Sequence, residues 1–208
     1  MILIAMRGER SFLLMIKCVV MIRRNKMKKV RIGIVGLGRL GRAHANNLAF
    51  SVPGAELTAA CSVVEAELEY AKEHLGVAKT YSDFGSMCQD PDIDAVAIVS
   101  PSTFHPEQIS LALKAGKHIF CEKPLAVTLE ECRATEKEVM QYPNLVFMLG
   151  FMRRYDPSYA YAKKKIEEGA IGTPYLVKAT GVAPDADAES LLDSGDVPKS
   201  GGIMMDMA

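Results

Sequence analysis

Six short apolar segments alternate with amphipathic stretches over most of the chain. The segments that we predict as strands cover residues 29–35, 56–62, 79–82, 94–100, 118–121 and 145–151, and the intervening helices extend to residue 50 and over residues 65–75, 83–88, 106–115 and 128–140. Parallel strands that are covered on both faces have continuous apolar sequences, and each crossover between them requires a helix. The alternation therefore predicts an α/β fold with a doubly wound parallel sheet.

A glycine-rich turn, Gly36-Leu37-Gly38-Arg39-Leu40-Gly41, connects the first strand to the first helix. In this context the first glycine permits a tight turn, the second lets the backbone approach a pyrophosphate, and the third lets helix and strand pack closely. The helix N-terminus then offers free N–H groups to the phosphates. We predict a Rossmann-type dinucleotide-binding domain over residues 28–150, although a plain glycine-rich turn is the alternative. The predicted cofactor-binding residues of this turn are Gly36, Gly38, Arg39, Leu40 and Gly41.

The end of the second strand bears on the choice of dinucleotide. An NAD site usually has Asp or Glu about 20 residues after the glycines, where it binds the ribose 2′-hydroxyl. Ser62 stands in register there, and the next charged residue is Glu65. A serine does not repel a 2′-phosphate, but no Arg or Lys follows to bind one. The sequence favours NAD and leaves NADP open.

Polar residues follow the fourth and fifth strands. Ser100-Pro101 and then His105 follow strand four, and Glu122-Lys123 follows strand five. Sheets of this class bind ligands at the carboxyl ends of their strands. Lys123 could donate a hydrogen bond to a substrate hydroxyl or be an ordinary surface lysine, and His105 could contact the cofactor or be a capping or surface histidine.

These residues resemble the Gfo/Idh/MocA oxidoreductases, NAD(P)-dependent enzymes that act on sugars and polyols. The resemblance covers residues 29–208, and Glu122-Lys123-Pro124 is its most specific element. Residues 121–126 and 150–156 are most similar to the inositol 2-dehydrogenases. The resemblance implies oxidation of a secondary alcohol of a cyclic polyol to a ketone, and a full-length form that is a homo-oligomer.

Several site roles are implied by the resemblance alone. Lys123 would contact nicotinamide and substrate. In the family the peptide bond between the matching lysine and proline, here Lys123 and Pro124, is often cis. Met152 and Arg153 would lie near cofactor and substrate, and Asp206 would bind the polyol. Ser100, Pro101, His105 and Glu122 would line the cofactor. The expected base is a histidine four residues after Asp206, so we expect residues 1–208 alone to be inactive.

Residues 151–208 are expected to begin a substrate-binding and oligomerisation domain, truncated here, with an α+β open mixed sheet. Its first strand is predicted over residues 175–181. Some inositol dehydrogenases have a histidine near the position of Gly181, so its absence leaves scyllo-inositol or another polyol or sugar open. A non-catalytic dinucleotide- or sugar-sensing protein of the same fold is a second hypothesis, and a truncated inactive gene product is a third.

Charge and cysteine content narrow the function class. The 25 basic and 25 acidic residues balance, which gives no support for a nucleic-acid or membrane partner. The five cysteines contain no CxxC pair and indicate reduced cytoplasmic thiols without a metal site. Residues 1–27 are basic and apolar, and we interpret them as a leader upstream of a true start at Met27 or Met21, or as a membrane-surface anchor.

Overall fold

The computed structural model describes residues 28–178 and 180. The strands are β1 (Val30–Val35), β2 (Ala55–Cys61), β3 (Lys79–Tyr81), β4 (Ala95–Ile98), β5 (His118–Cys121) and β6 (Phe147–Leu149). The helices are α1 (Arg39–Phe50), α2 (Glu65–Leu75), α3 (Phe84–Gln89), α4 (His105–Lys114), α5 (Leu129–Val139) and α6 (Pro157–Glu167). Two short 3-10 helices, Ser102–Phe104 and Met152–Arg154, follow β4 and β6.

The six strands form one parallel sheet in the order β3-β2-β1-β4-β5-β6. This is the doubly wound order, in which the chain reverses direction across the sheet between β1 and β4. The ends of four strands align, because Val35 pairs with Ile98, Ile98 with Cys121, and Cys121 with Leu149. The predicted fold class is therefore confirmed, and the residues that follow β1, β4, β5 and β6 meet at one edge.

Helices pack on both faces of the sheet and bury two apolar clusters. Helices α1 and α2 pack on one face around Ile34, Leu37 and Leu57, and α3, α4 and α5 pack on the other around Ile98 and Ile109. Alternate residues of each strand supply the two faces, as strand geometry requires. Each cluster reaches into the carboxyl edge, because Leu37 after β1 and Leu125 after β5 are buried in them.

The helix that follows the Lys123 loop begins as the sequence predicts. The Thr128 hydroxyl accepts the N–H of Glu131, while the Glu131 carboxylate accepts the N–H of Thr128, which completes a capping box. Such a cap satisfies two N–H groups that the helix itself leaves unpaired. It fixes where the loop from β5 ends.

The opposite, amino edge of the sheet is held by a charged cluster. The Asp90 carboxylate accepts hydrogen bonds from Lys79 at 2.7 Å and from Tyr81 at 2.7 Å. Arg31 binds Asp94 through Nε and Nη2, and the buried Lys117 donates to the carbonyls of Asp90 and Ile93. The Lys79 ammonium and the Tyr81 hydroxyl hold the pKa of Asp90 well below its usual range, and Arg31 does the same for Asp94.

We expect this cluster to make stability sensitive to acid. A carboxylate with a lowered folded-state pKa stabilises the fold at pH values above its unfolded pKa of about 3.9, and that contribution is lost as the pH falls toward the folded value. The free energy of unfolding should therefore decline below about pH 5. Asp90→Asn should cost about 1–3 kcal/mol at pH 7 and flatten this decline. Urea unfolding from pH 3 to pH 7 measures both, with the exposed Glu73→Gln as control. Parallel acid profiles for Asp90→Asn and the parent protein would contradict the assignment.

Residues after β6 are exposed almost throughout. Helix α6 begins at an Asp156 cap, whose carboxylate accepts the N–H groups of Ser158 and Tyr159, but it buries none of its residues. The strand predicted over residues 175–181 is wrong where it can be checked, since residues 175–178 are neither paired nor buried. A segment becomes a strand only when it pairs with another strand, and no strand among the described residues lies beside residues 175–178.

Candidate active site

The glycine turn after β1 leaves room for a ligand at the N-terminus of α1. Gly36 has φ of +85°, and a Cβ there would meet the carbonyl oxygen of Val99 at 2.6 Å. A Cβ at Gly41 would overlap the carbonyl oxygen of Gly36, whereas one at Gly38 would have no neighbour within 4 Å. Two of the glycines therefore close the turn, and the third faces open space.

That open space fits a dinucleotide pyrophosphate. Helix α1 has no side-chain cap and no acidic residue in its first turn, so its first N–H groups are available. Aligned peptide dipoles give the helix N-terminus a partial positive charge. Arg39 and Leu40 are exposed beside this N-terminus. The residues present therefore suit a phosphate-bearing cofactor, and their individual contacts with it stay predictions.

Ser62 at the end of β2 is buried rather than open to solvent. It is 7% exposed, and its hydroxyl donates to Oε2 of Glu67 at 2.6 Å and accepts the N–H of Val64 at 3.0 Å. The glycine turn lies beside it, because the N–H of Gly36 donates to the carbonyl of Cys61. Sequence reasoning missed Glu67, whose only signal was an acidic residue in the first turn of the following helix.

Glu122 and Lys123 follow β5 at the same edge. The Glu122 carboxylate accepts from Nε2 of His44 at 2.8 Å and from the N–H of Lys123 at 3.1 Å, and it packs against Gly150. Burial opposes ionisation of Glu122, but these hydrogen bonds prevail and lower its pKa. Lys123 is half-buried, and its bond to Pro124 is cis, as the resemblance implied.

A pocket of about 240 Å³ lies beside Glu122. Its walls include His44, Phe120, Met148, Gly150, Met152 and Tyr155. It lies where β5 and β6 end, and it contains a carboxylate, an imidazole and a phenol among apolar side chains. Its exposed walls are mostly apolar, because the Glu122 carboxylate and the His44 imidazole are hydrogen-bonded to each other.

His105 lies inside the fold and joins two loops. It is 1% exposed, and its Nδ1 and Nε2 lie 2.8 Å from the carbonyl oxygen of Pro124 and 2.9 Å from that of Ser100. The interpretation as a surface histidine is therefore wrong, because the ring fills the space between the ends of β4 and β5. A cofactor contact by His105 stays a prediction. In the structure His105 fixes the spacing of the two loops that carry Ser100 and Lys123.

We expect His105→Phe to destabilise the fold and loosen the Lys123 loop. Phenylalanine fills a similar volume but has no ring N–H, so the carbonyl that accepts a hydrogen bond from His105 loses its donor, at a cost of about 1–3 kcal/mol. Thermal and urea unfolding measure the loss, and His74→Phe, at an exposed position on α2, is the matched control. Equal stability of the two variants would show that the two carbonyl contacts contribute nothing.

The other predicted residues divide into three groups. Met152 and Arg153 are exposed after β6, and Arg153 lies 3.7 Å from Asp156 and over the ring of Tyr159. Pro101 is exposed after β4, and the Ser100 hydroxyl donates to Gln108. Asp206 lies outside the described residues. Met152, Arg153, Ser100 and Pro101 all lie at the carboxyl edge. The substrate contacts of Met152 and Arg153 and the cofactor contacts of Ser100 and Pro101 stay predictions.

The four cysteines in the described part of the chain are free. Burial raises the pKa of Cys61 and of Cys88 to about 12 in each case, so these thiols stay protonated and unreactive at neutral pH. Among residues 28–178, no cluster of three His, Cys, Asp or Glu side chains could hold a metal ion. No helix in the same part of the chain is long and apolar enough to cross a membrane.

Comparison with known families agrees with this geometry. The family model described as "Oxidoreductase family, NAD-binding Rossmann fold" matches residues 30–151, which include the glycine turn and the Glu122-Lys123 loop. The chain belongs to the Gfo/Idh/MocA family. The predicted family and its NAD-type cofactor class are thereby confirmed.

Individual members of the Gfo/Idh/MocA family are similar over most of the chain. The scyllo-inositol 2-dehydrogenase (NAD(+)) of Bacillus subtilis is 41% identical over 178 residues, which are 86% of this chain and 50% of that protein. The myo-inositol 2-dehydrogenase of Thermotoga maritima is 38% identical over the same length, 86% of this chain and 51% of that protein.

A solved structure is similar in fold as well. The scyllo-inositol dehydrogenase of Lactobacillus casei, with bound NAD(H) and scyllo-inositol, has a TM-score of 0.81 and 49% identity, and the match covers 86% of this chain and 53% of that one. The chain thus spans about half the length of these relatives.

Proposed function

We propose that this Gfo/Idh/MocA chain is the dinucleotide-binding part of an NAD-dependent dehydrogenase that oxidises a secondary alcohol of an inositol-type cyclic polyol to a ketone. Relatives that match 86% of the chain are inositol dehydrogenases by name. The polyol could also be another cyclic polyol or sugar.

The alignment of strand ends is the observation that carries this proposal. Gly36 follows β1 and Lys123 follows β5, and only β4 lies between those two strands. Neighbouring strands are about 4.8 Å apart, so the two loops lie roughly 10 Å apart along the edge. The pyrophosphate would lie at β1, the adenosine toward β2, and the nicotinamide toward β5. This arrangement brings Lys123 to the nicotinamide, the reactive end of the dinucleotide.

The residues divide the chemistry between binding and orientation. Bound NAD supplies the acceptor for the hydride, which leaves the alcohol carbon as its C–H bond breaks and the C=O bond forms. Lys123 donates a hydrogen bond to the substrate hydroxyl oxygen and orients that carbon. The hydroxyl proton passes to a base, for which the resemblance suggests a histidine four residues after Asp206. Glu122, held by His44, keeps the Lys123 loop in place through the N–H of Lys123.

Residues 151–208 begin a substrate-binding domain. The rest of that domain would cover the exposed Tyr159, Tyr161 and Ile166 of α6 and provide the surface for a homo-oligomer. The free cysteines accord with a reducing, cytoplasmic location.

A substrate panel tests the activity. The complete protein is mixed with NAD or NADP and with scyllo-inositol, myo-inositol, other inositols and hexoses, while the absorbance of reduced nicotinamide is followed. We expect turnover with NAD and at least one inositol. Tight dinucleotide binding without turnover of any polyol would instead favour a sensor.

A further inference from the structure

The adenosine end of the proposed site contains a carboxylate that sequence register does not indicate. Ser62 stands where NAD sites usually have an acidic residue. In the structure the Ser62 hydroxyl donates a hydrogen bond to Oε2 of Glu67, five residues later, at 2.6 Å. The second oxygen of Glu67 is not used by Ser62. A carboxylate is therefore present at the end of β2, but it comes from the first turn of α2.

Several contacts hold this carboxylate in place. The N–H of Glu67 donates to the carbonyl of Val64, and the N–H of Val64 donates to the Ser62 hydroxyl. Glu67 itself is half-buried. The positive end of the α2 dipole further favours a negative charge in this turn. The Glu67 carboxylate is thus held at the Ser62 hydroxyl, and the residue before Ser62, Cys61, accepts the N–H of Gly36 from the glycine turn.

One basic side chain close to α2, that of Arg42, is engaged elsewhere. Arg42 of α1 lies 4.4 Å from the centre of the Tyr70 ring and donates to the carbonyl of Leu37 at 3.1 Å. A 2′-phosphate at the end of β2 would therefore meet the negative charge of Glu67, whereas a ribose hydroxyl could donate to it. Charge-assisted hydrogen bonds of this kind are about twice as strong as neutral ones.

We propose that Glu67, positioned by Ser62, binds the adenosine ribose hydroxyls and makes the site selective for NAD over NADP. The inference rests on the proposed function, since it requires a dinucleotide at the glycine turn. Glu67 is the binding residue, and Ser62 acts through Glu67 as a positioning residue. The serine at the usual acidic position therefore does not make the protein an NADP enzyme.

Calorimetric titration of the complete protein with NAD⁺ and NADP⁺, without polyol, tests the inference. Glu67→Gln should weaken NAD⁺ binding about tenfold and tighten NADP⁺ binding about tenfold, because it removes the charge but keeps the shape. Glu69→Gln is the matched control, since Glu69 is an exposed glutamate of the same helix, and it should leave both affinities unchanged. The discrimination of the parent protein should also shrink as ionic strength rises.

A double-mutant cycle separates positioning from direct contact. Ser62→Ala should shift the NAD⁺/NADP⁺ affinity ratio in the same direction as Glu67→Gln but less, and it should add nothing in the Glu67→Gln background. Thermal unfolding of each variant without dinucleotide checks that the fold is intact.

The outcomes are distinguishable. A parent protein that binds NAD⁺, together with a Glu67→Gln variant of unchanged affinity ratio, overturns the role of Glu67 and leaves the proposed function standing. An equal and additive effect of Ser62→Ala overturns the positioning role of Ser62. A parent protein that binds neither dinucleotide overturns the proposed function and this inference with it.

Discussion

Lys123→Met in the complete protein is expected to lower kcat for polyol oxidation by at least about 10², the low end for the loss of one positioned hydrogen-bond donor at the reacting oxygen. The expectation follows from the place of Lys123 at the end of β5, where its loop is held from both sides. The N–H of Lys123 donates to Glu122, and the carbonyl of Pro124 lies against the buried His105. A methionine keeps most of the side-chain volume but offers no donor to the substrate hydroxyl.

The measurement separates orientation of substrate from binding of cofactor. Turnover is followed by the absorbance of reduced nicotinamide, and NAD⁺ affinity is measured separately by calorimetry. Lys114→Met removes an exposed lysine from α4 and should leave kcat unchanged. If Lys123→Met turns over at the parental rate, Lys123 has no part in the mechanism, although the fold assignment would stand.

Gly38→Ala is expected to weaken NAD⁺ binding without loss of stability, whereas Gly41→Ala is expected to destabilise the fold. A Cβ at Gly38 meets nothing within 4 Å, and φ of −63° suits any residue, so Gly38→Ala should fold normally. That Cβ would occupy the space proposed for the pyrophosphate, so we expect NAD⁺ affinity to fall by at least about tenfold, as one lost charge-assisted hydrogen bond would cause. At Gly41 the Cβ would overlap the Gly36 carbonyl oxygen, and overpacking against backbone should cost about 3 kcal/mol or more.

Two readouts distinguish these failures. Thermal unfolding without ligand should show a parental Tm for Gly38→Ala and a clear drop for Gly41→Ala. Calorimetry should show weakened NAD⁺ binding for the stable Gly38→Ala variant. Parental affinity in Gly38→Ala would mean that the dinucleotide does not approach this turn. Gly54→Ala, another glycine whose Cβ would meet nothing within 4 Å, controls for the general effect of replacing glycine.

Local sequence features predicted the framework of the molecule correctly. The apolar segments became six parallel strands, and the Thr128-Glu131 pair formed its capping box. These features can be recognised because the interactions that cause them join residues close in sequence. The strand predicted near residue 175 failed for the corresponding reason, since an isolated segment cannot show whether a partner lies beside it.

The sequence by itself determined the fold class, the ligand-binding edge of the sheet and the nucleotide turn, because periodicity and glycine geometry are local properties. Only the tertiary structure decided what the polar side chains at that edge do. His44 and Glu122 are 78 residues apart, and His105 is joined to a carbonyl 19 residues away. Glu67 is close to Ser62 in sequence, yet only the packing of α2 against the end of β2 directs its carboxylate to the serine. A side chain's partner is set by how elements pack, and packing depends on contacts across the whole chain.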